Sequence, residues 1–279
     1  MKTKNYILTF GLVLTFAFSN IFVHAQTADN EYQVAAALYM QKAAEYRALC
    51  YQSFNLAKMK LDADFDKKNL KKLPKAERKM PRAVVVDIDE TMLDNSPAQA
   101  YGIKNNKSFN YDDWYRWGGM RKAKEIPGAV DFANYAKSKG VKIYYVSNRD
   151  EKQQLEDTVE NLRIAGFPDV SKENVLLRQK DAAGKNISTK TPRRDFVKAN
   201  HRIVMLIGDN LNDFSDIFED KSITDRFAET DKAKELWGTK FIVLPNAMYG
   251  DWENAIYEYN RTLTDAQKKE KRANALELP

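Results

Sequence analysis

Four acidic residues, Asp87, Asp89, Glu90 and Asp94, crowd into the stretch "RAVVVDIDETMLDNSP", directly behind a run of valines. A second acidic group, in "GDNLNDF", follows the apolar run "RIVMLI" and contributes Asp209. Carboxylates held close together raise one another's pKa and are costly to take out of water. A hard divalent cation relieves both costs, because Mg²⁺ takes oxygen ligands from one or two carboxylates and keeps several waters. Asp87 and Asp209, on separate segments, suit that task. Asp89 stands two residues beyond Asp87, so in extended chain both side chains lie on one side. A bend there brings the Asp89 backbone carbonyl toward the same ion. One acidic pair reads equally well as a polar turn after a strand, and the second cluster moves the balance to a site.

A magnesium site of this kind suits phosphate chemistry, in which metal and fixed cations offset charge on a transferring phosphoryl group. One carboxylate can attack phosphorus and form an aspartyl-phosphate. A second can protonate the leaving alcohol and later deprotonate water. Asp87 and Asp89 suit these two roles. A hydroxyl donor for the phosphoryl oxygens is available in Ser147, at the end of "KIYYVS", with Asn148 beside it. The stretch "STKTPRRDF" offers Lys190, Arg193 and Arg194 as cations. Thr191 and Pro192 resemble a helix start, which puts Lys190 at its N-terminal end near the sheet edge. Lys185, in the loop-like "KDAAGKNIST", competes for the same role, and at least one of Arg193 and Arg194 is expected to be a solvated helix residue.

The elements that must carry these groups are legible as four short apolar segments, "AVVVDID", "VKIYYVSNR", "RIVMLIGDN" and "KFIVLPN". Helix-like stretches lie between them, and "ENVLL" adds a short fifth strand. Strands apolar throughout, alternating with amphipathic helices, imply an α/β fold with a Rossmann-like parallel sheet covered on both faces. Ligands of such sheets bind at the carboxyl ends of the strands. Asp87 and Asp89, Ser147 and Asn148, Asp209, and Asn246 are expected to converge there. Residues 29–60 read as one or two amphipathic helices with Val34, Leu38, Tyr46, Leu49 and Leu56 near helical spacing. A lysine-rich connection follows over residues 67–80. The last part of the chain, residues 261–279, reads as a frayed helix or tail.

Between Asp94 and Pro127 the chain is dense in aromatics and too polar for a core strand, which suggests a small cap over the site, near residues 95–126. Trp114, Tyr115 and Trp117 could stack a nucleobase, a contact worth about 1–3 kcal/mol per base. One of Trp114 and Trp117 is expected to close the cap core instead. Tyr249, in "NAMYGDW", follows the last strand beside the same crevice, and Asn148, Arg149 and Asn246 could orient a ring or brace the loop.

The N-terminus opens with "MKTK", an apolar stretch and "VHA" before Gln26, the order of a cleavable signal peptide over residues 1–25. The alternative is a retained anchor, since the apolar stretch approaches the ~20 residues that span a bilayer. No cysteine follows it to carry a lipid, so a periplasmic or secreted protein without a stable membrane anchor is expected. The mature chain then divides into a helical segment and linker over residues 26–80 and a core over residues 81–260. Removing the leader lowers the formal charge from +6 to about +4. That mild excess, with one cluster at "KKNLKKLPKAERK", reads as a solvated linker and not as a nucleic-acid site. The single Cys50 excludes an intramolecular disulfide and a cysteine zinc site and reads as a buried structural thiol. Two histidines cannot build a histidine metal cluster.

"DIDET", "SNR", a later lysine and "GDNLNDF" resemble the four successive motifs of the haloacid dehalogenase superfamily of phosphohydrolases. "DIDETMLDNSP", "GDNLNDFSD", "LPNAMYGDWE" and the helical "EYRALCYQSFNLA" are similar to the class C bacterial acid phosphatases, a group that includes lipoprotein 5′-nucleotidases. The resemblance covers roughly residues 30–260. It implies Asp87 as nucleophile, Asp89 as acid/base, and Ser147, Asn148 and Lys190 on the phosphoryl group. One Mg²⁺ per active site would be held by Asp87, the Asp89 carbonyl and Asp209, with Asp213 close behind. In the resembling nucleotidases an aromatic pair clamps the substrate ring, which implies Tyr249 with Trp114 or Trp117 here. Two departures stand out: the lipidated cysteine is missing, and the segment before Lys190 is longer, which keeps Lys185 in contention. The expected activity is hydrolysis of nucleoside monophosphates and other small phosphate esters. The alternatives are a broad acid phosphatase without nucleotide preference, or a non-catalytic binding relative. The N-terminal helices could pair two subunits as a homodimer.

Overall fold

The computed structural model describes residues 30–279; the expected signal peptide lies outside them. Helices α1 (Val34–Lys42), α2 (Ala44–Phe65) and the short α3 (Lys67–Lys72) lead into β1 (Arg82–Val86). A small excursion follows: β2 (Leu93–Asp94), α4 (Ser96–Lys104), α5 (Tyr111–Met120) and β3 (Lys124–Glu125). Then come α6 (Ala129–Ser138), β4 (Lys142–Asp150), α7 (Glu151–Ile164), β5 (Val175–Arg178) and α8 (Thr191–Lys198). The chain ends with β6 (Arg202–Gly208), α9 (Ile223–Lys232), β7 (Phe241–Val243), α10 (Asp251–Ile256) and α11 (Asp265–Asn274).

Five strands form one parallel sheet in the order β5-β4-β1-β6-β7, as the apolar segments and "ENVLL" predict. The valine run of β1 explains its central place. Residues 83–86 are all buried, with Val84 and Val86 on one face and Ala83 and Val85 on the other. The first face packs on α2, α6 and α7, through Phe54, Leu61, Phe132 and Leu162. The second packs on Val197 of α8 and on Phe214, with Trp237 and Phe241 beside them. From β1 the chain winds to β4 and β5 on one side, then returns to β6 and β7 on the other. The loops after β1 and β6 therefore face each other where the winding reverses, the usual ligand crevice of such sheets.

At the opposite edge, Asp64 of α2 ties the amino ends of β1 and β6 together. Its carboxylate accepts from Arg82 Nε at 2.7 Å and from Arg202 Nη2 at 2.6 Å. The inward stripe of α2 is Tyr46, Cys50, Phe54, Ala57 and Leu61, so Cys50 is buried as expected. The spacing of the large apolar residues misleads, however, because Leu38 and Leu49 are 51% and 39% exposed. Small Cys50 and Ala57 let the helix lie close to its neighbours, and of the three leucines of α2 Leu61 is buried, Leu56 packs on the core and Leu49 faces outward.

The excursion after β1 has its own stem. β2 and β3 pair antiparallel, Leu93 opposite Glu125 and Asp94 opposite Lys124, and α4 and α5 lie between them. Residues 67–80 form α3 and a 3₁₀ turn at Glu77–Lys79 without buried side chains. Residues 261–279, read from sequence as a frayed helix or tail, contain α11. Thr264 and Gln267 cap it reciprocally, and Arg272 donates to Tyr257 Oη at 2.6 Å while lying 3.5 Å over the ring of Tyr32. Among the described residues no helix is long and apolar enough to cross a membrane.

Candidate active site

Asp87 follows β1 directly, and its backbone N–H donates to Ile207 O of β6 at 2.8 Å, which fixes it at the seam of the two strands. Asp209 follows β6, and Asp213 sits on the 3₁₀ turn Leu211–Asp213, which folds back over the strand end. That return needs Gly208, since a Cβ there would stand 2.6 Å from Asp213 Cβ. Carboxylate oxygens of Asp87, Asp209 and Asp213 all lie within 4.8 Å of one another. Asp209 is held on both oxygens, by Thr91 Oγ1 at 3.1 Å and Asn246 Nδ2 at 2.9 Å. Asp213 accepts from the Asn210 N–H at 3.0 Å.

One cation enters this group. Lys190, at the start of α8, pairs with Asp87 and, at 2.7 Å, with Asp213 Oδ1. Lys185 does not: it is exposed, on a turn where its N–H donates to Asp181 Oδ1 at 2.8 Å. A single ammonium cannot neutralise three clustered carboxylates, two of them on buried residues. Burial foremost, with Asp213, Asp209 and Asp89 added, holds the Asp87 carboxyl well above the usual carboxylate range despite Lys190. Burial and Asp213 push Asp209 up to about 7. Burial alone would lower Lys190, but the Asp213 and Asp87 carboxylates outweigh it and hold the ammonium above its ordinary value. An all-oxygen donor set short of positive charge fits a hard divalent cation.

Asp89 lives in different surroundings. Arg149 grips its carboxylate through Nε at 3.0 Å and Nη2 at 2.7 Å, both to Oδ1. Ser147 Oγ donates to Asp89 Oδ2 at 3.0 Å, and Asn95 Nδ2 donates to Oδ1 at 2.8 Å. The Arg149 side chain is only 1% exposed and also reaches Thr158 Oγ1 at 3.2 Å, so its fork is fixed from behind. Ser147 accepts from the Arg149 N–H at 3.1 Å. Asn148 is exposed, and its Oδ1 accepts from Arg193 Nη2 at 2.7 Å. Arg193 also donates to Ser147 O at 2.5 Å, and Arg194 donates to Asp213 O at 3.0 Å. Neither arginine is the solvated helix residue expected of at least one of them; both lie inward and brace the loops that carry Ser147 and Asp213.

The loop between Asp89 and the cap is set by Glu90 and Asn95. Glu90 is fully buried with φ at 60° and accepts the Asn95 N–H at 2.8 Å. Burial, then Asp89 and Asp209, push its carboxyl well above the ordinary range. Asp94 accepts the Ser96 N–H at 2.8 Å and starts α4. In the cap, Trp117 donates to Asn95 Oδ1 at 2.8 Å and packs on the main core, while the Trp114 ring lies 5.4 Å from the Arg149 guanidinium. Tyr249 is partly buried against the main core, on the loop whose Asn246 holds Asp209. Sequence reasoning gave no part to Thr91, Asn95 or Thr158. Their short polar side chains carry no distinctive signal, and only the folded loops bring them beside a carboxylate.

A family model described as HAD superfamily, subfamily IIIB (Acid phosphatase) matches residues 12–252. The chain belongs to this acid phosphatase family. The fold agrees with solved relatives. The class C acid phosphatase from Bacillus anthracis is 41% identical, with a TM-score of 0.79 over 89% of this chain and 98% of that one. The structure of that enzyme with tungstate bound gives 42% identity at the same TM-score and coverage. In this acid phosphatase the three clustered carboxylates are thus a candidate divalent-metal site at the strand ends, where phosphate-ester chemistry is expected.

Proposed function

We propose that this acid phosphatase is an exported, magnesium-dependent phosphomonoesterase that hydrolyses nucleoside monophosphates and other small phosphate esters. The observation that carries the reading is the convergence of Asp87, Asp209, Asp213 and Lys190 on one strand-end crevice. An Asp87 carboxylate oxygen attacks phosphorus, and the bond from phosphorus to the ester oxygen breaks. Asp89 gives its proton to the departing alkoxide, then takes one from the water that attacks the aspartyl-phosphate and frees inorganic phosphate. Lys190, Ser147 and Asn148 hold the phosphoryl oxygens. Asp87, Asp209, Asp213 and the Asp89 carbonyl would hold one Mg²⁺, which would supply positive charge against the phosphoryl oxygens. Bound tungstate in the Bacillus anthracis relative, a tetrahedral oxyanion, is consistent with that site.

Trp114, on the cap beside Arg149, and Tyr249, on the Asn246 loop, are proposed to flank the leaving group. Trp117 is engaged with Asn95 and is assigned to the cap core. Export rests on the signal-like N-terminus. The outward Leu38, Leu49 and Met59 support pairing of two subunits through α1 and α2. The test is phosphate release from AMP and from ribose 5-phosphate, with and without chelator. AMP is expected to be the better substrate, and chelation to stop turnover of both. A wide preference for the sugar phosphate would leave a broad acid phosphatase, and hydrolysis indifferent to chelator would remove the metal.

A further inference from the structure

Arg178 closes β5 at the carboxyl edge of the sheet, in register with Asp150 at the end of β4. Its side chain is 10% exposed, and its Nε is buried without a hydrogen-bond partner. Among the described residues its ion-pair partner is Asp150, whose Oδ2 stands 4.0 Å from Nη2, beyond hydrogen-bond reach. Asp150 Oδ1 accepts the Gln153 N–H at 3.2 Å and caps α7, so only Oδ2 faces Arg178, as a loose ion pair at 4.0 Å. A guanidinium has five N–H donors and does not lose its charge. Buried charges of this kind are paired, so a free fork at a ligand-binding edge points to an absent anion.

Strand alternation puts Arg178 on the same sheet face as Leu176, which packs with Val197 of α8, and at the carboxyl edge where the candidate site lies. Arg193 spends its donors on Ser147 O, Asn148 Oδ1 and Thr189 O, and Arg194 on Asp213 O and Thr191 Oγ1. Among the described residues Arg178 is the one of the three without a hydrogen bond. The turn that follows it, residues 179–187, carries exposed Lys180 and Lys185 and adds positive potential at the same edge.

We propose that Arg178 anchors a second-anion subsite, which takes a phosphate group carried by the substrate away from the phosphoester being cleaved. This rests on Asp87 marking the point of cleavage. β5 is two strands from β1, about 10 Å across the sheet, so the second phosphate lies several bonds from the one being cleaved. Among small phosphate esters, those that carry a second phosphate at that reach are thus turned over better than their own monophosphate counterparts.

A ruler of symmetrical diol bisphosphates tests it. The probes are propane-, butane-, pentane- and hexanediol bisphosphate, each compared with its own monophosphate at low ionic strength on the full metal-loaded chain. At the matching length, kcat/KM for the bisphosphate should exceed that for the monophosphate by roughly tenfold beyond the statistical factor for two equivalent ends. Arg178→Gln should erase that advantage and leave monophosphate turnover within about twofold, because a charged hydrogen bond is lost only with the second phosphate. Arg178→Lys, which keeps the charge without the fork, should retain part of it. No preference at any length, or a preference that survives in both variants, overturns the subsite. Wild-type protein that cleaves none of the monophosphates overturns instead the phosphatase reading beneath it.

Discussion

Asp87 and Asp89 are the same residue two positions apart, yet the fold gives them opposite surroundings. Asp87 shares a buried pocket with two other carboxylates and one lysine, which leaves the group short of positive charge. Asp89 faces the cap and has an arginine fork, a serine hydroxyl and an asparagine amide to itself. A charge-deficient cluster suits a cation and an attacking carboxylate, whereas a clamped carboxylate suits a proton carrier that must stay in place. Shared chemistry at one strand end is divided by which neighbouring loop each side chain meets.

The largest effect should come from the crowded side. Asp87→Asn is expected to lower phosphate release roughly 10⁴-fold or more while the circular dichroism spectrum stays unchanged. Near-normal turnover would show that another group attacks phosphorus. Next, Lys190→Ala should cost about 10²–10³-fold and Lys185→Ala less than about twofold, measured with the same assay. Equal losses would remove the distinction drawn between a buried partner of Asp87 and an exposed turn lysine.

On the clamped side, Arg149→Met should lower kcat about 10–100-fold for an alkyl phosphate and less for p-nitrophenyl phosphate. The nitrophenolate departs without help from an acid, so an equal loss on both substrates would mean that Arg149 does not act through Asp89. The smallest effect concerns stability. The Asp209 carboxyl sits at about 7 in the folded chain, above its ordinary 3.8. Between those values the folded state binds more protons than the unfolded one, so stability present at low pH is lost as pH rises through them. The melting temperature of metal-free protein should fall by several degrees from about pH 4 to about pH 7, and added Mg²⁺ should flatten the slope. A melting temperature that climbs over that window would contradict the crowding of carboxylates.

Much of this was readable in one dimension. The run of valines before Asp87 announced a strand buried on both faces, and "RIVMLIGDN" announced its partner, so the meeting of Asp87 with Asp209 followed from parallel-sheet geometry. Thr191 and Pro192 marked the start of α8 and with it the place of Lys190. Of the residues at helical spacing on α1 and α2, Tyr46 is buried and Leu56 packs on the core while Leu38 and Leu49 face outward, because leucine spacing cannot tell which side of a helix a sheet will cover. At least one of Arg193 and Arg194 was expected at the surface, yet both long side chains turn inward to acceptors that only the folded loops supply.

Local sequence thus determined the strands, the order of the motifs and the acids that end them, because hydrophobic burial and the two-residue strand period act on neighbouring positions. Tertiary structure alone decided which carboxylate is crowded and which is clamped, that Trp117 braces Asn95, and that the Nε of Arg178 is buried without a hydrogen-bond partner. Those outcomes depend on side chains far apart in the chain meeting at a few ångströms, a distance that no local pattern encodes.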